Sequence, residues 1–209
     1  MQTNWHFYLL LIPFAYLLGS VPFAIIVAKA FGKADPRTVG SGNVGATNVA
    51  RTAGKKAGAV TLIADILKGA VPVYLSFYFS MPSVDVPLLK ISPTALLASL
   101  VGVSAFMGHL FPVFLKFKGG KGVATACGVM FVISPTATLL SGVVFIVAVV
   151  VKKYVSLGSM LSAAFMPVFL SFLPSKKDYV LTGVIIAVLI IWRHKENIRR
   201  LASGTENKI

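Results

Sequence analysis

Long apolar runs separated by short polar segments dominate this chain of 209 residues. A helix needs about 20 apolar residues to cross the hydrocarbon core of a bilayer. The pattern therefore predicts an all-α integral membrane protein with seven transmembrane helices. We place the spans at about 5–29, 56–80, 93–115, 122–134, 136–151, 154–173 and 179–193.

The first apolar run is expected to be a span, because it lacks a basic leader and is too long for the core of a signal peptide. The polar segments between the runs are too short for a large soluble domain. We therefore expect a single membrane-embedded domain over residues 1–209.

Residues 122–151 fit either one long helix or two short ones split at Pro135. Cytoplasmic loops of membrane proteins are enriched in lysine and arginine. With two short spans, most of the 20 lysines and arginines fall on one side, which places the N-terminus outside and the C-terminus in the cytoplasm. The exceptions are Lys68, inside the second span, and Lys90, Lys176 and Lys177 on the outer side.

Composition agrees with this topology, since 56% of residues are hydrophobic and 12% are charged, about half the charged fraction of soluble domains. The net charge of +14 can indicate nucleic-acid binding in a basic chain. The sided distribution of lysine and arginine explains the charge better, so no nucleic acid is expected. Cys127 is the single cysteine, which excludes an intrachain disulfide and is typical of a small packing side chain.

The first polar segment with chemical character is GSGNVGATNVAR at 40–51. It has the GxGxxG spacing of dinucleotide sites but lacks the preceding strand that such a site needs. Glycines let backbone N–H groups converge on an anion, and an arginine can bind phosphate with two hydrogen bonds. The segment predicts a phosphate site, the alternative being a solvated turn before the second span. Its candidate residues are Ser41, Gly42, Asn43, Asn48 and Arg51.

The second segment is KFKGGKGVAT at 116–125. It is not a Walker A loop, because Gly122 follows Lys121 where serine or threonine is required. Gly119, Gly120 and Gly122 nevertheless surround Lys121 directly before an apolar helix, whose first N–H groups are unpaired and whose N-terminal dipole is positive. A phosphate fits there without a nucleotide fold. The alternative is a short basic turn that follows the charge rule alone.

The third segment is RHKENIRRLASGTE at 193–206. On a helix, His194, Asn197 and Arg200 share one face, and a histidine can hold or pass a proton near neutral pH. Glu206 could lock this tail to a basic loop. The alternative is a basic tail that contacts anionic lipid.

Three ionisable residues lie within the predicted spans. Asp65 and Lys68 stand three residues apart and can pair on one helix face. Charges in a membrane are costly, so we expect either a structural pair or one wall of a polar site. His109 can serve as a general base, but packing is the favoured role. The sequence has no acidic cluster, HExxH motif or cysteine pair, so neither a metal nor another cofactor is expected.

The three segments, in this order, resemble the three motifs of the bacterial PlsY family of acyl-phosphate:glycerol-3-phosphate acyltransferases. The resemblance implies transfer of a fatty acyl group from acyl phosphate to the 1-hydroxyl of glycerol 3-phosphate, giving lysophosphatidic acid and phosphate. It implies a bacterial inner-membrane enzyme whose active site faces the cytoplasm. The implied partners are acyl phosphate, glycerol 3-phosphate and membrane lipid, and a monomer is expected.

By the same resemblance, Ser41 and Arg51 match the essential serine and arginine of the first motif, and the loop of Lys121 matches the glycerol-3-phosphate site. His194 and Asn197 match residues needed for activity, and Glu206 matches one needed for integrity. The alternative function is a membrane transporter of a phosphorylated metabolite. It is less favoured because the polar groups lie almost entirely on one side of the predicted membrane domain.

Overall fold

A computed structural model of the chain describes residues 9–78 and 91–209. These residues form helices joined by short connections, with no strand among them, which confirms the predicted all-α class. The helices are α1 (Leu11–Ser20), α2 (Phe23–Ala30), α3 (Ala46–Ala53), α4 (Lys55–Tyr78), α5 (Pro93–Leu110), α6 (Val123–Ile133), α7 (Pro135–Lys152), α8 (Val155–Phe172), α9 (Val180–Arg193) and α10 (Lys195–Ala202). Two 3-10 turns, Val113–Leu115 and Pro174–Tyr179, follow α5 and α8.

Helices occupy each of the seven predicted positions, but they differ in length. Within residues 9–78 and 91–209, four segments are long and apolar enough to cross a membrane: α4, α5 with its 3-10 turn, α7 and α8. The bent pair of α1 and α2 is a fifth if it forms one span. With 11 and 14 residues, α6 and α9 are shorter than the roughly 20 that a span needs. The number seven therefore stays a prediction.

The first predicted span is not continuous. α1 ends at Ser20, α2 begins after Pro22, and the two helices are bent by 41°. Proline fixes its own φ angle and offers no N–H group, so a helix breaks there readily. Lys68 Nζ donates to the carbonyl oxygen of Val21 over 3.0 Å, which satisfies one backbone group that the break exposes. The predicted span at 5–29 therefore contains a break at this point.

Parts of three predictions lie outside the described residues. They are the start of the first span before residue 9, the end of the second span at 79–80, and the outer loop up to Lys90.

The division of 122–151 into two helices is confirmed. α6 ends at Ile133, and Ser134 then caps α7 by accepting a hydrogen bond from the Ala137 N–H over 3.3 Å. Pro135 occupies the first turn of α7, where the missing N–H group costs nothing.

Small residues allow the helices to approach closely. A Cβ atom on Gly19 of α1 would lie 2.1 Å from the carbonyl oxygen of Ala105 in α5, and one on Gly108 would lie 2.3 Å from the carbonyl oxygen of Tyr16. Such contacts between backbones are typical of helix pairs in membranes.

Large apolar side chains cover the outside, as expected where lipid is the solvent. Residues that are more than half exposed include Tyr74, Leu139, Val150, Phe172 and Leu181.

A separate apolar cluster supports the segment 40–51. It joins α2, α3 and α4 through buried Val27, Val44, Val49, Ala53 and Ala57. Because α3 lies within the predicted loop, this part of the chain is packed rather than an open turn.

Candidate active site

The three polar segments meet at one cavity of about 420 Å³. It lies among α3, α4, the start of α6, α7, α8 and the end of α9, with the C-terminal tail along its edge. The predicted site residues that line it are Ser41, Asn43, Asn48, Arg51, Asp65, His109, Lys121, Gly122, His194 and Glu206.

Asn48 holds the first segment together. Its Oδ1 accepts from the Ser41 N–H over 2.9 Å, and its Nδ2 donates to the carbonyl oxygens of Pro36, Val39 and Asn43 over 2.8, 3.2 and 3.1 Å. The side chain is 2% exposed. Since both ends of the amide are occupied, Asn48 shapes the loop, and its direct contact with phosphate stays a prediction.

Gly42 is also structural. Its φ angle is +69°, a conformation that glycine adopts at low cost, and its N–H group donates to the carbonyl oxygen of Val39 over 3.1 Å. It does not line the cavity, and its phosphate contact stays a prediction as well.

Ser41 and Arg51 have the opposite character. Both are exposed at the cavity. Among the residues that the structure describes, the Arg51 guanidinium has no hydrogen bond or ion pair, and the Ser41 hydroxyl has no hydrogen bond. The first segment therefore presents an uncommitted cation and hydroxyl on a fixed loop.

In the second segment, two glycines allow the loop to pack against the end of α5. The N–H groups of Gly119 and Gly120 donate to the carbonyl oxygens of Leu110 and His109, each over 3.2 Å. A Cβ atom on Gly119 would lie 2.1 Å from the His109 carbonyl oxygen, and one on Gly120 would lie 2.3 Å from His109 Nε2. These N–H groups are occupied and outside the cavity, so the two glycines shape the loop here, and their phosphate contacts stay a prediction.

The beginning of α6 is the better candidate for an anion site. Gly122 caps this helix with a φ angle of +79°, and Gly122, Val123 and Ala124 line the cavity. N–H groups in a first helical turn have no partner within the helix, and the helix dipole adds positive potential. The prediction for Gly122 therefore stands as a proposal.

Lys121 is linked to the C-terminal tail. Its Nζ donates to Asn197 Oδ1, and Asn197 Nδ2 donates to Glu206 Oε1 over 2.7 Å. Glu206 also accepts from Ser156 Oγ over 2.8 Å and from Arg200 Nε over 2.7 Å. Glu206 thus ties the tail to α8. Asn197 and Arg200 lie beside the cavity rather than in its wall, and Asn197 contacts the cavity residue Lys121.

Burial changes the protonation of two groups at the cavity. It lowers the pKa of Lys121 to about 8, and the charges of Arg200 and Arg193 act in the same direction while Glu206 opposes them. Burial also lowers the pKa of His194 to about 4, with a further contribution from the Lys121 charge. Lys121 is therefore a cation that loses its charge as the pH rises through about 8, and His194 is neutral at that pH.

The tautomer of His194 follows from its single backbone partner. Nδ1 lies 2.8 Å from the carbonyl oxygen of Ile190. A carbonyl can only accept, so Nδ1 carries the proton and Nε2 keeps a lone pair. His194 can therefore accept a proton or a hydrogen bond at the cavity.

The cavity floor contains the intramembrane charges. Lys68 Nζ lies 2.9 Å from Asp65 Oδ1, and both side chains are at most 3% exposed. Asp65 lines the cavity, whereas Lys68 lies behind it against the break at Val21, so this pair is both structural and part of the wall. His109 Nδ1 lies 3.1 Å from Thr125 Oγ1, in keeping with the favoured packing role.

An apolar region adjoins the polar groups. Residues of α6–α9 line it, among them Cys127, Met130, Phe145, Met166 and Ile186. Cys127, which the sequence suggested as a packing residue, lies in this wall. One cavity thus joins two cationic groups to a cleft lined by apolar side chains.

Sequence reasoning missed Arg193 and Ser156. Arg193 Nε donates to the Gly120 carbonyl oxygen over 3.0 Å, and its Nη2 donates to that of Gly119 over 2.6 Å. In the sequence it was counted only as a basic residue at the end of a span, and its position directly before His194 was the one available signal. Ser156 donates a hydrogen bond to Glu206, and no sequence pattern marks it as a site residue.

Comparisons with known proteins agree on one family. The family model described as glycerol-3-phosphate acyltransferase matches residues 9–204. The glycerol-3-phosphate acyltransferase of Geobacter metallireducens is 48% identical over 200 residues, covering 96% of each chain. That of Geotalea daltonii is 46% identical over 193 residues, covering 92% of this chain and 93% of its own.

Two solved structures have the same fold. The crystal structure of PlsY, an integral membrane glycerol 3-phosphate acyltransferase, in its glycerol 3-phosphate form has a TM-score of 0.85 and 41% identity. Its lysophosphatidic acid form has a TM-score of 0.82 and 39% identity. Each match covers 97% of this chain and 95% of the chain in the solved structure.

Proposed function

Because the chain belongs to the glycerol-3-phosphate acyltransferase family, we propose that it transfers a fatty acyl group from acyl phosphate to the 1-hydroxyl of glycerol 3-phosphate. The products are lysophosphatidic acid and phosphate. The protein is thus a membrane acyltransferase of phospholipid synthesis, and the acyl-phosphate donor is the specific part of the proposal. The observation that carries it is the single cavity in which two separate cationic sites adjoin an apolar cleft.

The two cationic sites suit two substrates that each carry a phosphate. Lys121 and the N-terminus of α6 hold glycerol 3-phosphate, in line with the resemblance of this loop to the family's motif. Arg51 and Ser41 hold the phosphate of the donor, whose acyl chain lies in the cleft along Met130 and Met166. An acyl-CoA donor would need room for a nucleotide, and an acyl phosphate needs only one further anion site.

The reaction needs little covalent participation by the protein. The C1 oxygen of glycerol 3-phosphate bonds to the acyl carbon, the bond from that carbon to the donor phosphate breaks, and the hydroxyl proton passes to a substrate phosphate. Arg51, Lys121 and the α6 N–H groups position the two substrates and neutralise charge on the departing phosphate. His194 Nε2 is the alternative proton acceptor on the protein, ahead of His109, whose ring packs beneath the loop.

The test uses purified protein in lipid or detergent with palmitoyl phosphate and glycerol 3-phosphate and no CoA. We expect phosphate and lysophosphatidic acid to form in equal amounts. Arg51→Ala should lower kcat/KM at least about 100-fold without unfolding the protein, because the guanidinium has no partner within the described protein. Arg199→Ala is the matched control, since Arg199 pairs with Glu196 on the surface.

Two results would contradict parts of this proposal. Turnover with acyl-CoA and none with acyl phosphate would refute the donor. A trapped acyl group on Ser41 would refute direct transfer between the substrates.

We also propose seven membrane-crossing segments in the bacterial inner membrane, with the N-terminus outside, the C-terminus and active site facing the cytoplasm, and a monomeric chain. The distribution of lysine and arginine supports this orientation. In a Cys127→Ser background, an impermeant maleimide should label a cysteine at Lys177 in intact cells, and one at Ser203 only after permeabilisation. The reverse result would overturn the orientation, and a dimer mass in detergent would overturn the monomer.

A further inference from the structure

Arg193, the last residue of α9, reaches across to the loop that carries Lys121. Its Nε donates to the carbonyl oxygen of Gly120 over 3.0 Å, and its Nη2 donates to that of Gly119 over 2.6 Å. The guanidinium carbon lies 5.9 Å from the centroid of the Phe111 ring and 5.8 Å from that of the Trp192 ring. One planar group thus binds two consecutive carbonyls and has two aromatic rings nearby, whose centroids lie 6.1 Å apart.

The end of α5 also holds this loop. The N–H groups of Gly119 and Gly120 donate to the end of α5, and neither glycine has space for a Cβ atom. The two residues before Lys121 are therefore held by α5 through their N–H groups and by Arg193 through their carbonyls. This leaves Lys121 little freedom to move relative to α6.

Arg193 itself does not line the cavity. Its Nε and Nη2 donate to carbonyls within the protein, so a role as a phosphate ligand at the cavity does not fit. The residue that follows it, His194, does line the cavity. The end of α9 therefore supplies His194 to the cavity wall and, through Arg193, supports the loop of Lys121.

We propose that Arg193 is a positioning residue for acyl transfer, which fixes the Gly119–Gly120 turn so that Lys121 meets the phosphate of glycerol 3-phosphate. The proposal rests on the proposed function for the identity of the substrate. Its structural part, a link between the second and third segments, rests on the two hydrogen bonds alone.

The geometry requires an arginine rather than a generic cation. A guanidinium presents parallel N–H groups in a rigid plane and stacks on aromatic rings, whereas an ammonium is a point charge. Lysine at this position would hold one carbonyl at a time. We therefore expect a graded series in which Arg193→Lys is milder than Arg193→Met.

The expected effect is selective for one substrate. A displacement of about 1 Å in a positioned group can reduce a rate about 100-fold. Arg193→Met should raise the KM for glycerol 3-phosphate by roughly 30- to 100-fold, and Arg193→Lys by roughly 10-fold. The KM for acyl phosphate should change little, because Arg51 belongs to a loop that Arg193 does not contact.

A second readout separates positioning from general destabilisation. The charges that act on Lys121 are those of Glu206, Arg200 and Arg193, while its neighbour His194 is neutral where Lys121 titrates, and Asn197 is its hydrogen-bond partner. Removing the Arg193 charge relieves repulsion, so the pKa of Lys121 should rise. The alkaline limb of kcat/KM should then move to higher pH in Arg193→Met but not in Arg193→Lys.

The experiment compares Arg193→Met, Arg193→Lys and the surface control Arg199→Met in the full-length protein. Thermal melting, both KM values, the pH profile and titration with glycerol 3-phosphate alone are measured for each variant. Weaker binding of glycerol 3-phosphate in the graded order, with an unchanged KM for acyl phosphate, supports the proposal. Equal losses for both substrates, or Arg193 variants that behave like Arg199→Met, overturn it.

Two design points keep the test decisive. If Arg193→Met does not fold, Arg193→Lys decides alone, and normal binding of glycerol 3-phosphate by that variant overturns the proposal. The binding titration needs no acyl donor. A wild-type protein that binds glycerol 3-phosphate but does not use acyl phosphate would refute the proposed donor and still allow the positioning role to be tested.

Discussion

The segments 40–51 and 116–125 each bring a cation to the cavity, but the chain supports the two cations by different means. The first is held from within, by the amide of Asn48. The second is held from outside, by the end of α5 and by Arg193. In the first, glycines supply positive φ angles, and in the second Gly119 and Gly120 leave room for close packing.

This difference gives the two sites different dependencies. Arg51 has no partner among the described residues, and an arginine keeps its charge throughout the physiological pH range. Lys121 is linked to Asn197 and Glu206 on the tail, and its pKa is lowered to about 8. The Arg51 site is held by its own loop and uses a guanidinium. The Lys121 site depends on distant parts of the chain, and its charge changes with pH.

The largest difference between the two segments is expected when one glycine in each is replaced by alanine. In Gly119→Ala the new Cβ atom would lie 2.1 Å from a backbone carbonyl oxygen of α5, so the loop must shift, and overpacking of this kind costs about 1–3 kcal/mol or more. We expect activity to fall at least about 100-fold together with a lower Tm.

Gly42→Ala is the matched control. Its Cβ atom would meet its nearest neighbour at 3.4 Å, so the cost is the positive φ angle alone, about 1–2 kcal/mol. Its activity should fall only a few-fold. Equal losses in the two variants would show that the two loops are not supported differently.

Replacing Asn48 and replacing Asn197 should each raise the KM for a different substrate. Asn48→Ala removes the side-chain partner of the Ser41 N–H and of the Pro36 and Asn43 carbonyls, at a cost of about 1–3 kcal/mol for each group that stays buried, whereas the Val39 carbonyl keeps the Gly42 N–H. We expect a KM for acyl phosphate raised by roughly 10- to 100-fold and a nearly normal KM for glycerol 3-phosphate. Asn197→Ala frees Lys121 and should affect glycerol 3-phosphate instead. Steady-state kinetics with each substrate varied in turn would decide, and identical patterns would contradict the assignment of one substrate to each loop.

The helices could be predicted from the sequence because a chain in lipid must satisfy its backbone hydrogen bonds internally, so each apolar run becomes a helix. The break at Pro135 and the residues around the cavity followed from local signals as well. The roles of Gly119 and Gly120 did not, because they depend on Arg193, 74 residues from Gly119 along the chain. The occupied amide of Asn48 and the bend at Val21 likewise depend on contacts that appear only when distant segments pack together.

A pH titration should separate the two loops with smaller changes. Lys121 is a cation below its pKa of about 8 and neutral above it, so its attraction for phosphate is present at low pH and lost as the pH rises. The KM for glycerol 3-phosphate should increase up to about tenfold per pH unit above that value. The KM for acyl phosphate should stay level because the first site uses a guanidinium and not an ammonium group.

Lys121→Arg is the control for this titration. It should remove the alkaline rise, since the substituted side chain keeps its charge in this range. A rise that persists in Lys121→Arg, or one that appears equally for both substrates, would assign the titration to another group.

The smallest expected change comes from Glu206→Gln. Glutamine keeps an acceptor for Ser156 and Asn197 but removes the negative charge that raises the pKa of Lys121. That pKa should fall, so the alkaline rise in the KM for glycerol 3-phosphate should move to lower pH by about one unit or less. Glu196→Gln, which removes an exposed charge paired with Arg199, should leave the profile in place. If Glu206→Gln also leaves it unchanged, Glu206 serves only to fasten the tail to α8, and the charge of the second site is set by burial and its neighbouring arginines alone.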